Sequence, residues 1–192
     1  KRIPADAYTI QHRGGRGVKG MTRREEDVAK TMFTCSTHDY VMFFTTRGRT
    51  YRLKGYEVPE GSRNSKGMNI VNLLPLEAGE KVSDDELAWV RLTSGNDDLL
   101  IATRKGMGIR FNENDARPLG RTARGVKAIE LREGDEVVGM EVLDDAKAVL
   151  TVSTTGYGRR SEPSDYRLQS RGGKGTINYR TETYGDVAAI AV

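Results

Sequence analysis

The sequence predicts an all-β fold in which four short strands make a blade and the blade repeats into a propeller-like disc. Three observations carry this. Glycines recur at a fixed spacing, and the apolar residues between them alternate or run briefly in β-branched and aromatic types. The repeat unit is about 50 residues, the period of a four-stranded blade that buries its faces against its neighbours.

Three segments align: "VMFFTTRGRTYRLKGYEVPEGSRNSKGMNIVNLL", "LLIATRKGMGIRFNENDARPLGRTARGVKAIEL" and "AVLTVSTTGYGRRSEPSDYRLQSRGGKGTINYR". Gly48, Gly106 and Gly156 each precede a second glycine by 19 residues, at Gly67, Gly125 and Gly175, and a cation (Lys66, Arg124, Lys174) comes just before each of these. "QHRGGRG" at 11–17 supplies the same second half, with Arg16 and Gly17 in the matching places, so the chain holds three repeats and the tail of a fourth. Within each repeat the first two strands flank the first glycine as a hairpin: 40–45 with 49–54, 99–103 with 107–111, and 148–153 with 157–160. A third strand follows the second glycine, as in "GVKAIEL", and a fourth opens after a glycine and acidic residues, as in "GDEVVGMEV" and "GDVAAIAV". "TRREEDVAKTMF" at 22–33 has local helical character, but the repeat aligns Asp27 and Val28 with Glu136 and Val137, which predicts a strand.

One step is irregular. Gly67 to Gly125 spans 58 residues, against 50 for Gly17 to Gly67 and for Gly125 to Gly175. Two fourth-strand openings, "AGEKV" and "DDEL", collide there. The expectation is a single domain over 1–192 with about four blades visible and a whole blade missing near 82–84.

Composition excludes several classes. A chain of 192 residues with 30% charged and 36% hydrophobic residues can bury a core and is not disordered. The longest apolar runs, such as "VAAIAV", fall far short of a membrane span, and no signal-peptide pattern opens the sequence, so the cytoplasm is the expected location. The single cysteine, Cys35, permits no internal disulfide and reads as a small core residue. His12 and His38 are the only histidines and have no metal-ligand spacing, so no metal site is expected.

The charge is unevenly placed. Of the 31 lysines and arginines, 23 fall in the windows 11–24, 46–67, 103–127 and 156–175, which hold six of the 27 acidic residues. Repetition puts equivalent positions on one side of an assembly, so each blade should add cations to a continuous basic belt. A belt suits a long polyanion. Arginine or lysine beside glycine offers phosphate oxygens both a cation and open main-chain N–H groups, which positions a duplex without reading its sequence. The aromatics in these windows, Tyr51, Tyr56, Phe111 and Tyr157, read mostly as strand core. Gly15, Gly17 and Gly20 satisfy G-x-G-x-x-G, but the repeat makes the next element a strand rather than the helix of a dinucleotide site. "GGKGT" is not a P-loop, because Gly175 separates Lys174 from Thr176.

"QHRGGRG" and its near-copy "QSRGGKG" at 169–175 resemble the Q-[R/K]-R-G-G-[R/K]-G box of the C-terminal domains of DNA gyrase A subunits, departing only at His12 and Ser170. The stretches "THDYVMFFTTRGRTYRLKGYEVPE", "IVNLLPLE" and "TTGYGRR" extend the resemblance over the whole chain. The resemblance implies a β-pinwheel, a disc whose blades exchange strands, that wraps duplex DNA around a basic rim in a positive sense so that the parent enzyme introduces negative supercoils. It implies no catalytic residue and no cofactor in this domain, with the rest of the gyrase A subunit, and the gyrase B subunit, for partners. It gives the box, at Gln11, Arg13, Gly14, Gly15, Arg16 and Gly17, a part in closing the disc, and its loss would abolish supercoiling but spare relaxation. The expected DNA contacts are those box residues with Lys19, then Arg47, Arg49, Arg52, Lys54, Arg63 and Lys66, then Arg104, Lys105, Arg110, Arg121, Arg124 and Lys127, and finally Arg159, Arg160, Arg171 and Lys174. The rival readings are the equivalent domain of topoisomerase IV, where the box is usually degraded, and a propeller used for protein recognition.

Overall fold

The computed structural model describes residues 1–22, 25–26, 28–68, 73–74, 85–116 and 125–192. Eleven strands are found among them: β1 (Tyr40–Thr45), β2 (Arg49–Lys54), β3 (Leu87–Thr93), β4 (Asp98–Thr103), β5 (Met107–Asn112), β6 (Val126–Lys127), β7 (Val137–Val142), β8 (Val149–Ser153), β9 (Gly158–Ser161), β10 (Thr176–Ile177) and β11 (Val187–Ala191). The three hairpins β1–β2, β4–β5 and β8–β9 fall where the sequence predicts them.

Their turns share one chemistry. Gly48, Gly106 and Gly156 stand at φ of 83°, 88° and 88°, a left-handed conformation that side chains resist. Their N–H groups donate to the carbonyls of Thr45, Thr103 and Ser153 at 3.2, 3.1 and 3.1 Å. The hydroxyls of the same three residues accept from the N–H of Arg49, Met107 and Tyr157, each at 3.1 Å. A threonine or serine three residues before the glycine therefore closes each turn twice.

The sheets are ordered β3-β1-β2-β6, β10-β5-β4-β7 and β11-β8-β9. In each, the fourth-strand segment pairs with the first strand of its own hairpin. The third strand behaves otherwise: β6 leaves its repeat to pair with β2, and β10 leaves its repeat to pair with β5. The blades thus exchange strands, as in a pinwheel. Each exchanged strand is only two residues long because the chain then tucks under the neighbour's turn. The N–H groups of Ala128 and Ile129 both donate to the Gly48 carbonyl, at 2.7 and 3.3 Å, and those of Asn178 and Tyr179 to the Gly106 carbonyl, at 2.7 and 3.1 Å.

Between the sheets, β4 shows how one strand serves two interfaces. Its run "DLLIAT" is continuously buried, and alternation sends Leu99 and Ile101 into a core with Met42, Phe44, Ile109, Phe111 and Met140. Leu100 and Ala102 point the other way, to Val149, Tyr166 and Ile190. A third cluster, with Val41, Phe43 and Tyr51, covers the other face of the first sheet. Acidic runs before the fourth strands do backbone work: Asp85 and Asp135 carboxylates accept from the N–H of Arg47 and Lys105 at the turn tips, both at 3.0 Å.

Three sequence expectations are corrected. The described residues within 22–33 form neither strand nor helix. β3, β7 and β11 each pair with a hairpin of their own repeat, and the described residues of 22–33 pair with none. Cys35, expected in the core, is exposed, in a segment that forms no strand. Tyr51 and Phe111 are core residues as expected, but Tyr56 and Tyr157 are 53% and 58% exposed. The structure also adds short 3-10 turns after the second strands, at Gly55–Glu57, Glu113–Asp115 and Pro163–Asp165, and a matching one at Ala5–Ala7. The opening repeat is therefore recognisable upstream of its box. The junction at 82–84 lies outside the described residues.

Candidate nucleic-acid interface

At one edge of its sheet, β7 packs against both β3 and β11. β6 and β10 form the opposite edge of their sheets. Gly125 and Gly175 lead directly into these exchanged strands, so Lys127 and Lys174 stand at that edge. Val126 and Thr176 are where each loop enters its strand, with Gly125 and Gly175 immediately before them.

Residue by residue, the expected cations divide into two groups. Arg13, Arg16, Lys19, Arg47, Lys66, Lys127, Arg159 and Lys174 are exposed. None of them makes a side-chain hydrogen bond or ion pair among the described residues. Gln11, Gly14, Gly15 and Gly17 are exposed with them, and the Gly15 N–H donates to the His12 carbonyl at 3.1 Å, folding the box into a tight turn. Arg16, Lys66, Lys127 and Lys174 recur within two residues of the second glycine of their repeats, whereas Arg47 and Arg159 stand near the turn glycines Gly48 and Gly156.

The second group is spent on the fold. Arg52 is 6% exposed. Its guanidinium lies 3.7 Å from the Tyr40 ring centre, donates to the Gly95 carbonyl at 3.1 Å and stands 3.7 Å from the fully buried Glu113 carboxylate. It cannot reach a duplex, which corrects its place among the contacts. Arg110 donates twice to the Asp98 carboxylate, at 2.9 and 2.7 Å, and once to the Pro163 carbonyl at 2.9 Å, tying the second sheet to the third repeat. Arg49 donates to the Gly125 carbonyl at 2.7 Å, holding the exchanged loop. Arg104 holds Gly134, Glu136 and Asp186, while Lys105 donates to the Glu133 carbonyl at 2.6 Å. Lys54 lies over the Tyr40 ring and donates to the His38 carbonyl, Arg63 donates to Ala7, and Arg171 donates to Asp115 and Lys127 carbonyls. Arg160 is exposed and 3.5 Å from Glu162. Arg121 and Arg124 lie outside the described residues.

A sequence signal could have sorted part of this. Arg2, Arg52, Arg110 and Arg160 each stand 15 residues before a second glycine, and all four are ion-paired, to Glu60, Glu113, Asp98 and Glu162. Arg2, Arg52 and Arg110 use this position to join repeats, through Glu60, Glu113 and the Pro163 carbonyl, whereas Arg160 stays exposed beside Glu162 of its own repeat. Chemically, the uncommitted cations can neutralise phosphate oxygens, but among the described residues no group of three or more histidine, cysteine or acidic residues could hold a metal ion. No helix there is long and apolar enough to cross a membrane.

Residues 1–36, 39–93, 97–144 and 147–192 match, in tandem, the family model described as DNA gyrase C-terminal domain, beta-propeller. The chain is 45% identical to the DNA gyrase A subunit of Staphylococcus aureus over 240 residues, covering 99% of this chain and 27% of that one. Identity to the Staphylococcus epidermidis protein is 43% over the same length, with the same coverage. The chain thus spans about a quarter of the length of these curated relatives, the 27% that aligns. Among solved structures, the E. coli ParC C-terminal domain superposes with a TM-score of 0.71 at 22% identity, covering 90% of this chain and 69% of that one. A DNA gyrase A C-terminal domain gives 0.62 at 24% identity, over 90% and 54%. Both likenesses establish the fold. With the exchanged strands, the "QHRGGRG" box and four successive family matches that follow the glycine repeat, the chain belongs to the DNA gyrase C-terminal domain family of beta-propellers.

Proposed function

We propose that the chain is the duplex-binding and duplex-wrapping module of a bacterial gyrase A subunit. One observation carries the reading: an exposed cation that the described fold leaves uncommitted recurs within two residues of the second glycine of each repeat, and in two repeats that glycine leads into an exchanged edge strand. A duplex laid along that edge meets a phosphate contact from each blade in turn, which bends it around the disc. The module carries no catalytic group or cofactor of its own. It serves an ATP-dependent type II topoisomerase in the cytoplasm, at the nucleoid, with the rest of the gyrase A subunit, and the gyrase B subunit, for partners. The wrap has a positive sense, and the enzyme converts it to negative supercoils.

The chain also lacks one repeat compared with its relatives. They align over 240 positions although this chain has 192 residues, a difference of 48, close to one repeat. The extra spacing between Gly67 and Gly125 supports the same place, near 82–84.

The experiment is duplex binding by the chain across a salt series. An affinity that falls steeply with salt and is indifferent to sequence supports the reading. A flat salt response would favour protein recognition instead. The topoisomerase IV alternative is disfavoured by the intact "RGGRG" at 13–17.

A further inference from the structure

An arginine stands four residues before the second glycine of every repeat, at Arg13, Arg63, Arg121 and Arg171. At Arg63 and Arg171 it reaches back to the repeat before. Arg63 Nη1 donates to the Ala7 carbonyl at 3.4 Å, and Arg171 Nε donates to the Asp115 carbonyl at 2.6 Å. Ala7 and Asp115 are equivalent: each ends the 3-10 turn of its repeat, ten residues before the second glycine. One position in the repeat therefore makes the same joint twice, and it is spent on main-chain carbonyls.

At Arg171 the joint takes in an exposed lysine. Arg171 Nη1 also donates to the Lys127 carbonyl at 3.2 Å. The next residue, Gly172, donates its N–H to the Ala128 carbonyl at 2.7 Å, and the Gly173 carbonyl accepts from the Glu130 N–H at 2.9 Å. Gly172 stands at φ of 81°, and a Cβ there would lie 3.3 Å from the Lys127 carbonyl oxygen and 3.9 Å from both Cβ and Cδ of Lys127. The loop of the third repeat thus lies along the backbone and stem of Lys127. Lys127 itself stays exposed, as does Lys174, two residues beyond Gly172.

We infer that Arg171 is a positioning residue for duplex binding: it fixes Lys127 of the preceding repeat against its own loop, so that Lys127 and Lys174 meet the phosphates of one duplex at a set spacing. The inference rests on the duplex-binding reading above. A guanidinium suits the task because Nε and Nη1 belong to one rigid fork, here holding two carbonyls twelve residues apart. A lysine ammonium on a flexible stem has the charge without the fork. With the backbone at Lys127 fixed, less freedom is lost when its side chain closes on a phosphate. The phosphate contact of one repeat is in this way set by the arginine of the next.

The test is duplex binding by the 192-residue chain across a salt series, with Arg171→Lys, Arg171→Ala, Lys127→Ala and the pair of Arg171→Lys with Lys127→Ala. Both substitutions of Arg171 should weaken binding alike, about threefold to tenfold, since lysine keeps the charge but not the fork. Added to Lys127→Ala, Arg171→Lys should cost less than about twofold more, because the two residues act through one contact. Exchange of the Glu130 amide should quicken in Arg171→Lys, which reads the opened joint without DNA. Gly172→Ala, which leaves Arg171 in place, should weaken binding with the same dependence on Lys127. An Arg171→Lys chain that binds as tightly as the unsubstituted one would overturn the inference and make Arg171 a phosphate contact. Losses that multiply in full in the pair would overturn it too, as would an unchanged Glu130 amide, and in each case duplex binding by the unsubstituted chain still stands. A flat salt response of the unsubstituted chain would instead remove the duplex reading, and the inference with it.

Discussion

At the scale of single residues, arginines of the same type in one basic window do two jobs, and packing decides which. Arg52 and Glu113 are buried together between two repeats, and removing one member leaves the other charge without compensation. Glu113→Ala is expected to cost about 3 to 5 kcal/mol of unfolding free energy, read by denaturant titration. Among the described residues Lys127 and Lys174 have no side-chain partner to lose. Lys127→Ala and Lys174→Ala should leave stability unchanged and each reduce the salt slope of duplex binding by about one. Arg110→Met should do the reverse, lowering stability with no change in slope. In the parent enzyme, changing Arg13 and Arg16 together to alanine should depress supercoiling far more than relaxation, and equal loss of both would assign the box to stability. The basic windows were legible in the sequence, because charge clustering needs no coordinates. The split within them was not, since whether an arginine faces solvent depends on strand register and on carboxylates such as Asp98, which lies in the strand opposite Arg110.

At the scale of elements, the exchanged strand is the joint that makes separate hairpins into one body. Its closeness explains the second glycine: at Gly175 a Cβ would strike the Gly108 backbone, and φ of 73° adds strain of about 1 to 2 kcal/mol for any side chain. Gly175→Ala should therefore open β10 from β5, seen as faster hydrogen exchange at the Ile177 and Asn178 amides with the β4–β7 ladder still protected. The hairpins were legible because their strands are five or six residues of clear pattern around a turn glycine. The destination of the third strand was not, because two residues carry no periodicity and the partner lies in another repeat. The strand expected at 22–33 is not formed by the described residues there, because repeat alignment at Asp27 and Val28 predicts a strand but cannot supply the sheet it must pair with.

At the scale of the whole molecule, the proposed function depends on the exposed cations near the second glycine of each repeat acting together as a track. If about six phosphates are engaged, the logarithm of duplex affinity should fall against log salt with a slope of roughly −5. The disc and its basic character were legible from the repeat and the charge windows, whereas the assignment of the edge required the sheet order. The most direct test is to seal nicked circular duplex with ligase around the bound domain, remove the protein and read the linking number. The account predicts a positive shift that grows with bound protein and disappears at high salt. An unchanged distribution of topoisomers on saturated circles would contradict it.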